Sequence, residues 1–238
     1  MHVAGKRRRL HAYTFVCVYV FCCFFFARPG SLDDLIIATK FAPLPWRFSA
    51  DAVVSALKAS LERLGRDKAE LYQIHWPNLL GDDAFLEGLA RCYEQGLAGA
   101  VGVSNFSEIR LRNAVRVLDK RGVKLASNQV NYSLVYREPE TNGVLAACEE
   151  LGVGLIAYSP LAQGTLTGKY SAENLPAGPR RGFYNRDLME SLAPLLSGMK
   201  AVADERGTSV AQVALAYLTA NPIVVPIPGV KNAKQVKS

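Results

Sequence analysis

Polar side chains that could take part in chemistry follow short apolar runs in this sequence. The clearest case is His75, which comes after the run Leu71–Ile74 and is followed by Pro77, a residue that ends a strand. Histidine can transfer protons near neutral pH, although a single histidine at a strand end can equally be a hydrogen-bonded structural residue. Other apolar runs end in the same way, at Lys40, Ser104, Asn105, Gln129, Tyr158 and Ser159.

The elements that must position these residues alternate regularly along the chain. Apolar runs of strand length predict six strands, at 35–41, 69–75, 98–103, 123–129, 153–158 and 223–227. Apolar periodicity and capping residues predict helices at 49–64, 83–95, 107–120, 138–151, 188–205 and 210–220, with a further helix that begins at Asn232. A loop rich in glycine and proline spans about 161–186.

Strict strand–helix alternation with continuous apolar strands predicts an α/β fold with parallel strands. The two candidates are an open doubly wound sheet and a closed eightfold (β/α) barrel. No strand is followed by the Gly-x-Gly-x-x-Gly pattern of the dinucleotide-binding open sheet. In a barrel, functional residues lie on the loops after the carboxyl ends of the strands. Because several polar residues at one rim are costly unless they serve one another or a ligand, the pattern favours a shared site.

The distribution of charge along this 238-residue chain indicates which kinds of partner it can bind. The formal net charge is +7, but residues 1–30 hold five basic residues and no acidic one. The remaining residues carry 23 basic and 21 acidic side chains, a net charge of +2. The main part of the chain is therefore almost neutral, and nucleic-acid binding is not predicted.

The first 30 residues are predicted to be separate from a domain at 31–238. A basic patch at Lys6–Arg9 precedes an apolar run at 12–27, which is typical of a secretory signal or a membrane anchor. The run is short for a membrane span, and a leader that is not native is the alternative. Membrane association is predicted only if this leader is a real anchor.

The five cysteines indicate neither a metal site nor a disulfide framework. Cys17, Cys22 and Cys23 lie in the leader, whereas Cys92 and Cys148 fall within predicted helices. This usage suits a reducing compartment.

Six motifs in order resemble the aldo/keto reductase superfamily, and most of all its plant plastid-type members. They are Ile37–Lys40, Gln73–Pro77, Val101–Phe106, Ser127–Ser133, Ala157–Gly164 and Pro226–Ala233. The resemblance covers roughly Leu35 to Ser238. It implies a (β/α)8 TIM barrel that binds NADP(H) without a Rossmann motif and passes a hydride from NADPH to a small carbonyl substrate.

The same resemblance implies roles for individual residues. Lys40 and His75 match two of the family's catalytic residues: the lysine lowers the pKa of the proton donor, and the histidine orients the carbonyl. The resemblance also implies residues that bind each part of the cofactor. At the nicotinamide it implies Ser104, Asn105 and Gln129 on the carboxamide and Tyr158 stacked on the ring. It implies Ser159, Leu161, Gln163, Gly164 and Lys169 at the pyrophosphate, and Gly229, Lys231 and Gln235 at the adenosine end. Lys231 could pair with the 2′-phosphate, which favours NADP over NAD.

The chain departs from the family pattern before Lys40. The family's tyrosine acid and its aspartate precede the strand that holds this lysine, and here the leader occupies that region. Tyr13 and Tyr19 lie in or beside the apolar run, and Asp33 and Asp34 lack the family context, so neither role is assigned to them. An incomplete barrel is therefore predicted, without its first two βα units and its last helix. Its open edges predict poor solubility or pairing with another segment.

Two functions remain open at this point. One is an NADPH-dependent carbonyl reductase that lacks the tyrosine acid and the aspartate. The alternative is a catalytically impaired NADP-binding regulatory module. The resemblance implies a chloroplast location, with the cytoplasm as the other possibility.

Overall fold

The protein is described by a computed structural model, which covers residues 14–18, 23–27, 35–177 and 184–230. Eight strands form one sheet in chain order: β1 (Thr14–Val18), β2 (Cys23–Ala27), β3 (Leu35–Phe41), β4 (Leu71–Ile74), β5 (Val101–Ser104), β6 (Leu125–Asn131), β7 (Gly154–Tyr158) and β8 (Val224–Ile227). The helices are α1 (Ala50–Leu64), α2 (Asp83–Glu94), α3 (Glu108–Asp119), α4 (Glu138–Thr141), α5 (Val144–Leu151), α6 (Arg186–Glu205) and α7 (Val210–Thr219). A 3₁₀ segment, Ala162–Thr167, follows β7.

Strands β3 to β8 pair in parallel, each with the next along the chain, as the alternation predicted. Helices pack on the outer face of these strands around a large apolar core. On the inner face, Ala38, Leu71, Ile156 and Ile227 form one buried cluster that includes side chains of both β3 and β8. The six strands therefore curl into a half-barrel, and the predicted incomplete (β/α)8 architecture is confirmed.

Helix α1 shows how local sequence sets these elements. The Ser49 hydroxyl oxygen accepts a hydrogen bond from the Ala52 backbone N–H at 3.2 Å, which satisfies one of the free amides of the first turn. Gly65 ends the helix with φ +62°, a left-handed conformation that glycine adopts without strain. Between these caps the buried face includes Val53 and Leu57, so the helix packs against the sheet through its apolar face.

The predicted elements differ from the observed ones mainly at their ends. The predicted helix 138–151 is divided at Asn142 and Gly143, because Gly143 has φ +84° and interrupts the helical backbone. The strands predicted from residues 69 and 98 begin later, since Ala69 and Ala98 form only an isolated bridge before the continuous ladder. The helix predicted from Asn232 lies outside the described residues.

Part of the predicted leader joins the sheet. Strand β2 pairs antiparallel with β3, from Phe24 opposite Ala38 to Ala27 opposite Leu35, and β1 pairs antiparallel with β2. The edge of β3 is thus covered by another segment, as the sequence predicted for an open edge. Among the helices of the described residues, none has the length and apolar character needed to cross a membrane.

Candidate functional site

His75 follows β4 at the carboxyl edge of the half-barrel. Its backbone N–H donates to the Phe41 carbonyl oxygen at the end of β3 (2.8 Å), which fixes the histidine beside the neighbouring strand. Partial burial of the ring, and to a lesser extent the positive charge of Lys40, lowers the pKa of His75 to about 4. At neutral pH the imidazole is therefore uncharged, and one of its nitrogens can donate a hydrogen bond to a carbonyl oxygen.

Lys40 on β3 lies opposite Gln73 of β4 in the strand register. Gln73 comes two residues before His75. Alternation along a strand places Gln73 and His75 on the same side of β4, the side that faces the inside of the half-barrel. Gln73 is fully buried and its Nε2 donates to Ser127 Oγ (3.2 Å). Gly102 makes this approach possible, because a Cβ there would lie 2.4 Å from Ser127 Oγ.

Ser104, Asn105 and Gln129 come together at the ends of β5 and β6. Ser104 Oγ donates to the Gln129 carbonyl oxygen at 2.8 Å, and the Asn105 backbone N–H donates to the same oxygen at 2.8 Å. The Gln129 side chain is buried, and its Nε2 donor has no hydrogen-bond partner among the described residues. Since a buried donor without a partner is costly, this amide is available to donate to the acceptor of a ligand.

Asn105 links three strand ends. Its Nδ2 donates to Ser104 Oγ (3.2 Å) and to the His75 carbonyl oxygen (3.4 Å), and its Oδ1 accepts from the Tyr158 hydroxyl (3.1 Å). Asn105 also has φ +60°, a left-handed conformation that is uncommon outside glycine and that recurs at functional sites. The half-buried Tyr158 ring at the end of β7 is thereby held on the same rim as His75.

The segment after β7, the start of α7 and the segment after β8 line a cavity of about 550 Å³. Ser159, Ala162 and Gln163 have positive φ angles between 47° and 59°, so this backbone turns sharply around the opening. Gln163 Nε2 donates to Ser159 Oγ at 3.2 Å, and the Gln163 carbonyl oxygen accepts from the Tyr184 hydroxyl at 2.9 Å. The cavity brings together five of the predicted cofactor-binding residues: Ser159, Leu161, Gln163, Gly164 and Gly229.

Lys169, Lys231 and Gln235 are not among the described residues that line this cavity. Lys169 is exposed and does not line it, and its ammonium lies 5.7 Å from the centre of the Tyr170 ring. Lys231 and Gln235 lie outside the described residues.

Sequence reasoning overlooked Gln73. The sequence pattern that could have identified Gln73 is its position two residues before His75 in an otherwise apolar strand. Because side chains alternate along a strand, Gln73 has to face the same side as His75, the inside of the barrel. Its Oε1 is buried and has no hydrogen-bond partner among the described residues.

The curled sheet of parallel strands, with polar residues at the carboxyl ends of the strands, places this molecule among proteins with a (β/α)8 barrel fold. The family model described as "Aldo/keto reductase family" matches residues 23–238. The chain therefore belongs to the aldo/keto reductase family of oxidoreductases. The matched region begins at the first residue of β2, earlier than the resemblance predicted.

Individual relatives agree with this membership. The chain is 40% identical over 212 residues to a chloroplastic pyridoxal reductase of Arabidopsis thaliana, covering 87% of this chain and 58% of the relative. It is 29% identical over 205 residues to a probable voltage-gated potassium channel subunit beta of Oryza sativa subsp. japonica, covering 81% of this chain and 62% of the relative.

A solved structure supports the same fold. A thermostable aldo-keto reductase in complex with the inhibitor epalrestat matches with a TM-score of 0.68 and 29% identity, over 87% of this chain and 65% of that chain. This chain thus spans 58% to 65% of the length of these proteins.

Proposed function

We propose that this chain binds NADPH and reduces the carbonyl group of an aldehyde or ketone. The observation that carries the proposal is the grouping of Lys40, His75, Asn105 and Tyr158 on one rim, linked by hydrogen bonds and by the charge of Lys40 on His75. NADPH would supply the hydride when bound. The residues of the chain hold the two reactants in place and handle the proton.

The chemistry of the rim and the cavity fits such a cofactor. The buried Gln129 amide donor has no partner among the described residues, and it suits the oxygen of a carboxamide. The half-buried Tyr158 ring at the end of β7, the strand next to β6, offers an apolar surface for an aromatic ring. The cavity next to Ser159 and Gly164 offers hydroxyl groups and closely approaching backbone, which suit a pyrophosphate. NADP(H) in preference to NAD(H) rests on the resemblance at Lys231.

His75 and Lys40 would act on the substrate oxygen. The neutral imidazole of His75 can donate a hydrogen bond to the carbonyl oxygen and so orient it. The positive charge of Lys40 favours the negative charge that develops on that oxygen as the hydride arrives at the carbon. The resemblance places the family's tyrosine acid before Lys40, and that role is assigned to no residue of this chain. Proton delivery is then the weak step, and we expect it to cost about 10²- to 10⁴-fold in rate.

The test combines binding with turnover. NADPH fluorescence should change on titration with the protein, and the change should weaken in Asn105→Ala while Lys124→Met, a change at an exposed lysine outside the site, leaves it unaltered. Aldehyde reduction should be measurable but about 10²- to 10⁴-fold slower than pyridoxal reduction by the longer Arabidopsis relative. No NADPH binding to a folded protein would refute the proposal.

A second candidate function is a regulatory module that binds the cofactor without turnover. It is favoured by the similarity to a probable potassium channel subunit beta. The same titration separates the two: binding with no aldehyde reduction, even at high enzyme concentration, would select the module.

The proposed location is the chloroplast, and it rests on the plant relative whose name states that location. A fluorescent fusion of the full chain in plant cells tests it, because a cytoplasmic signal would contradict it. The proposed partner is a small carbonyl compound, and neither nucleic acid nor membrane is part of the proposal.

A further inference from the structure

Gln73 is a polar side chain inside the half-barrel, next to Lys40. It is fully buried on β4, and its Oε1 has no hydrogen-bond partner among the described residues. The register places Lys40 of β3 directly opposite Gln73, so the two side chains lie side by side on the inner face of the sheet. Because a buried acceptor without a partner costs free energy, a function that needs this oxygen would account for its presence.

Two hydrogen bonds fix the orientation of the Gln73 amide. Its Nε2 donates to the Val103 carbonyl oxygen of β5 (3.4 Å) and to Ser127 Oγ of β6 (3.2 Å). A backbone carbonyl can only accept, so the nitrogen of the amide and not its oxygen has to face β5. Both partners lie on the β5 side of β4, whereas Lys40 lies on the other side. Since the nitrogen and the oxygen of an amide diverge from one carbon, Oε1 points away from β5 and β6.

The inner face around Gln73 is apolar below this residue and carries a cation beside it. One step further from the carboxyl edge lies the buried apolar cluster that includes Leu71 and Ile156. Strands β3 to β8 contain no acidic residue, and Lys40 is the one basic residue in them. The imidazole of His75 on the same side of β4 is uncharged at neutral pH. In surroundings of low polarity an amide dipole acts on a charge more strongly than in water, and Lys40 is the charge within these strands on which Oε1 can act.

We propose that Gln73 is a positioning residue for the reduction: its side-chain oxygen faces the Lys40 ammonium, stabilises the charged form of this lysine and holds it toward the substrate oxygen. Gln73 touches neither substrate nor cofactor and acts only through Lys40. The proposal rests on the proposed reductase function for its kinetic test, whereas the titration of Lys40 does not depend on turnover.

The charge of Lys40 can be followed without turnover. In protein labelled with ¹³C at the lysine Cε atoms, the NMR signal that disappears in Lys40→Arg reports the pKa of Lys40 as the pH is raised. Gln73→Met removes the oxygen at a similar side-chain volume, so it should lower the pKa of Lys40 by about 0.5–1 unit. Gln73→Glu places a negative charge opposite the lysine and should raise this pKa by about 1 unit or more. An unchanged pKa of Lys40 in a folded Gln73→Met protein would overturn the proposal.

Leu71→Val is the matched control for a loss of packing. Leu71 is buried on the same inner face, two residues before Gln73, and its side chain has no polar atom. The variant should lower the free energy of unfolding and leave the pKa of Lys40 within about 0.3 unit. Equal falls of this pKa in Leu71→Val and Gln73→Met would mean that Gln73 only fills space, which would also overturn the proposal. If Gln73→Met does not fold, Gln73→Glu, which keeps the size and polarity of the side chain, decides alone: an unchanged pKa of Lys40 there refutes the proposal.

Kinetics with NADPH and benzaldehyde give the second readout. In Gln73→Met, kcat should fall about 3- to 10-fold, while the NADPH affinity from fluorescence titration stays within about 2-fold. The alkaline limb of kcat/KM against pH should move to lower pH by the same amount as the pKa of Lys40, and Leu71→Val should leave it in place. An alkaline limb that stays in place while the pKa of Lys40 falls would refute the role of Gln73 in the reduction. No turnover by the unmodified protein, with the pKa of Lys40 still lowered in Gln73→Met, would instead refute the reductase function and leave the action of Gln73 on Lys40 standing.

Discussion

Replacing Lys40 by methionine should raise the pKa of His75. Burial is the larger cause of the low pKa and the charge of Lys40 the smaller one. Removing the charge should therefore recover less than half of the difference between about 4 and the ordinary 6.5, which leaves the pKa of His75 below about 5.3. The imidazole would remain neutral at pH 7 in both proteins.

The assay is a pH titration of the imidazole carbons by NMR. The chain has three histidines, and the other two, His2 and His11, are near its start, so His75→Asn assigns the signal by its disappearance. Lys58→Met is the matched control, since the charge of that exposed lysine on α1 is not a cause of the low pKa of His75. A pKa of His75 near 6.5 in the unmodified protein would refute the reasoning about burial. A rise to 6.5 in Lys40→Met would show that charge, not burial, dominates.

The same low pKa makes stability depend on pH. Between about pH 6.5 and pH 4 the unfolded chain takes up a proton on this histidine and the folded chain does not, so the free energy of unfolding falls as the pH falls through that window. The difference in pKa corresponds to about 3 kcal/mol at most. Because the ring is partly exposed, solvent reduces this to roughly 1 kcal/mol. His75→Asn should remove this part of the pH dependence in urea denaturation.

Two further changes test the packing and geometry of the site. Gly102→Ala should lower the free energy of unfolding by about 1–3 kcal/mol, because the new Cβ would lie 2.4 Å from Ser127 Oγ. Gly198→Ala in the middle of α6, where a Cβ would have no atom within 4 Å, should raise the free energy of unfolding by about 0.5–1 kcal/mol. Urea denaturation compares the two variants, and equal effects would contradict the crowding at Gly102. Asn105→Gly keeps the backbone at φ +60° without strain but loses the hydrogen bonds of the side chain. We expect the free energy of unfolding to stay within about 1 kcal/mol, while fluorescence titration shows NADPH binding about 5- to 30-fold more weakly. Unchanged NADPH affinity would remove the Asn105 side chain from the cofactor site.

The order and type of the elements were predictable from local patterns. Apolar runs of strand length, apolar periodicity in helices and the caps at Ser49 and Gly65 are properties of neighbouring residues, so they can be recognised in sequence. Alternation then implied parallel strands, and parallel strands implied that Lys40, His75 and Tyr158 share one rim. The division between α4 and α5 at Gly143 was missed, because a glycine within a helical pattern is often tolerated.

The contacts between distant residues could not be predicted in this way. The sequence by itself determined the parallel half-barrel and the polar residues at its carboxyl edge, because strand direction and side-chain alternation follow from local pattern. Only the tertiary structure decided that Asn105 joins His75 to Tyr158, that β2 covers the edge of β3, and that Arg110 pairs with the buried carboxylate of Asp82. Each of these depends on the distance and direction between groups brought together by folding, and such distances are set by packing of the whole sheet and its helices rather than by any one stretch of chain.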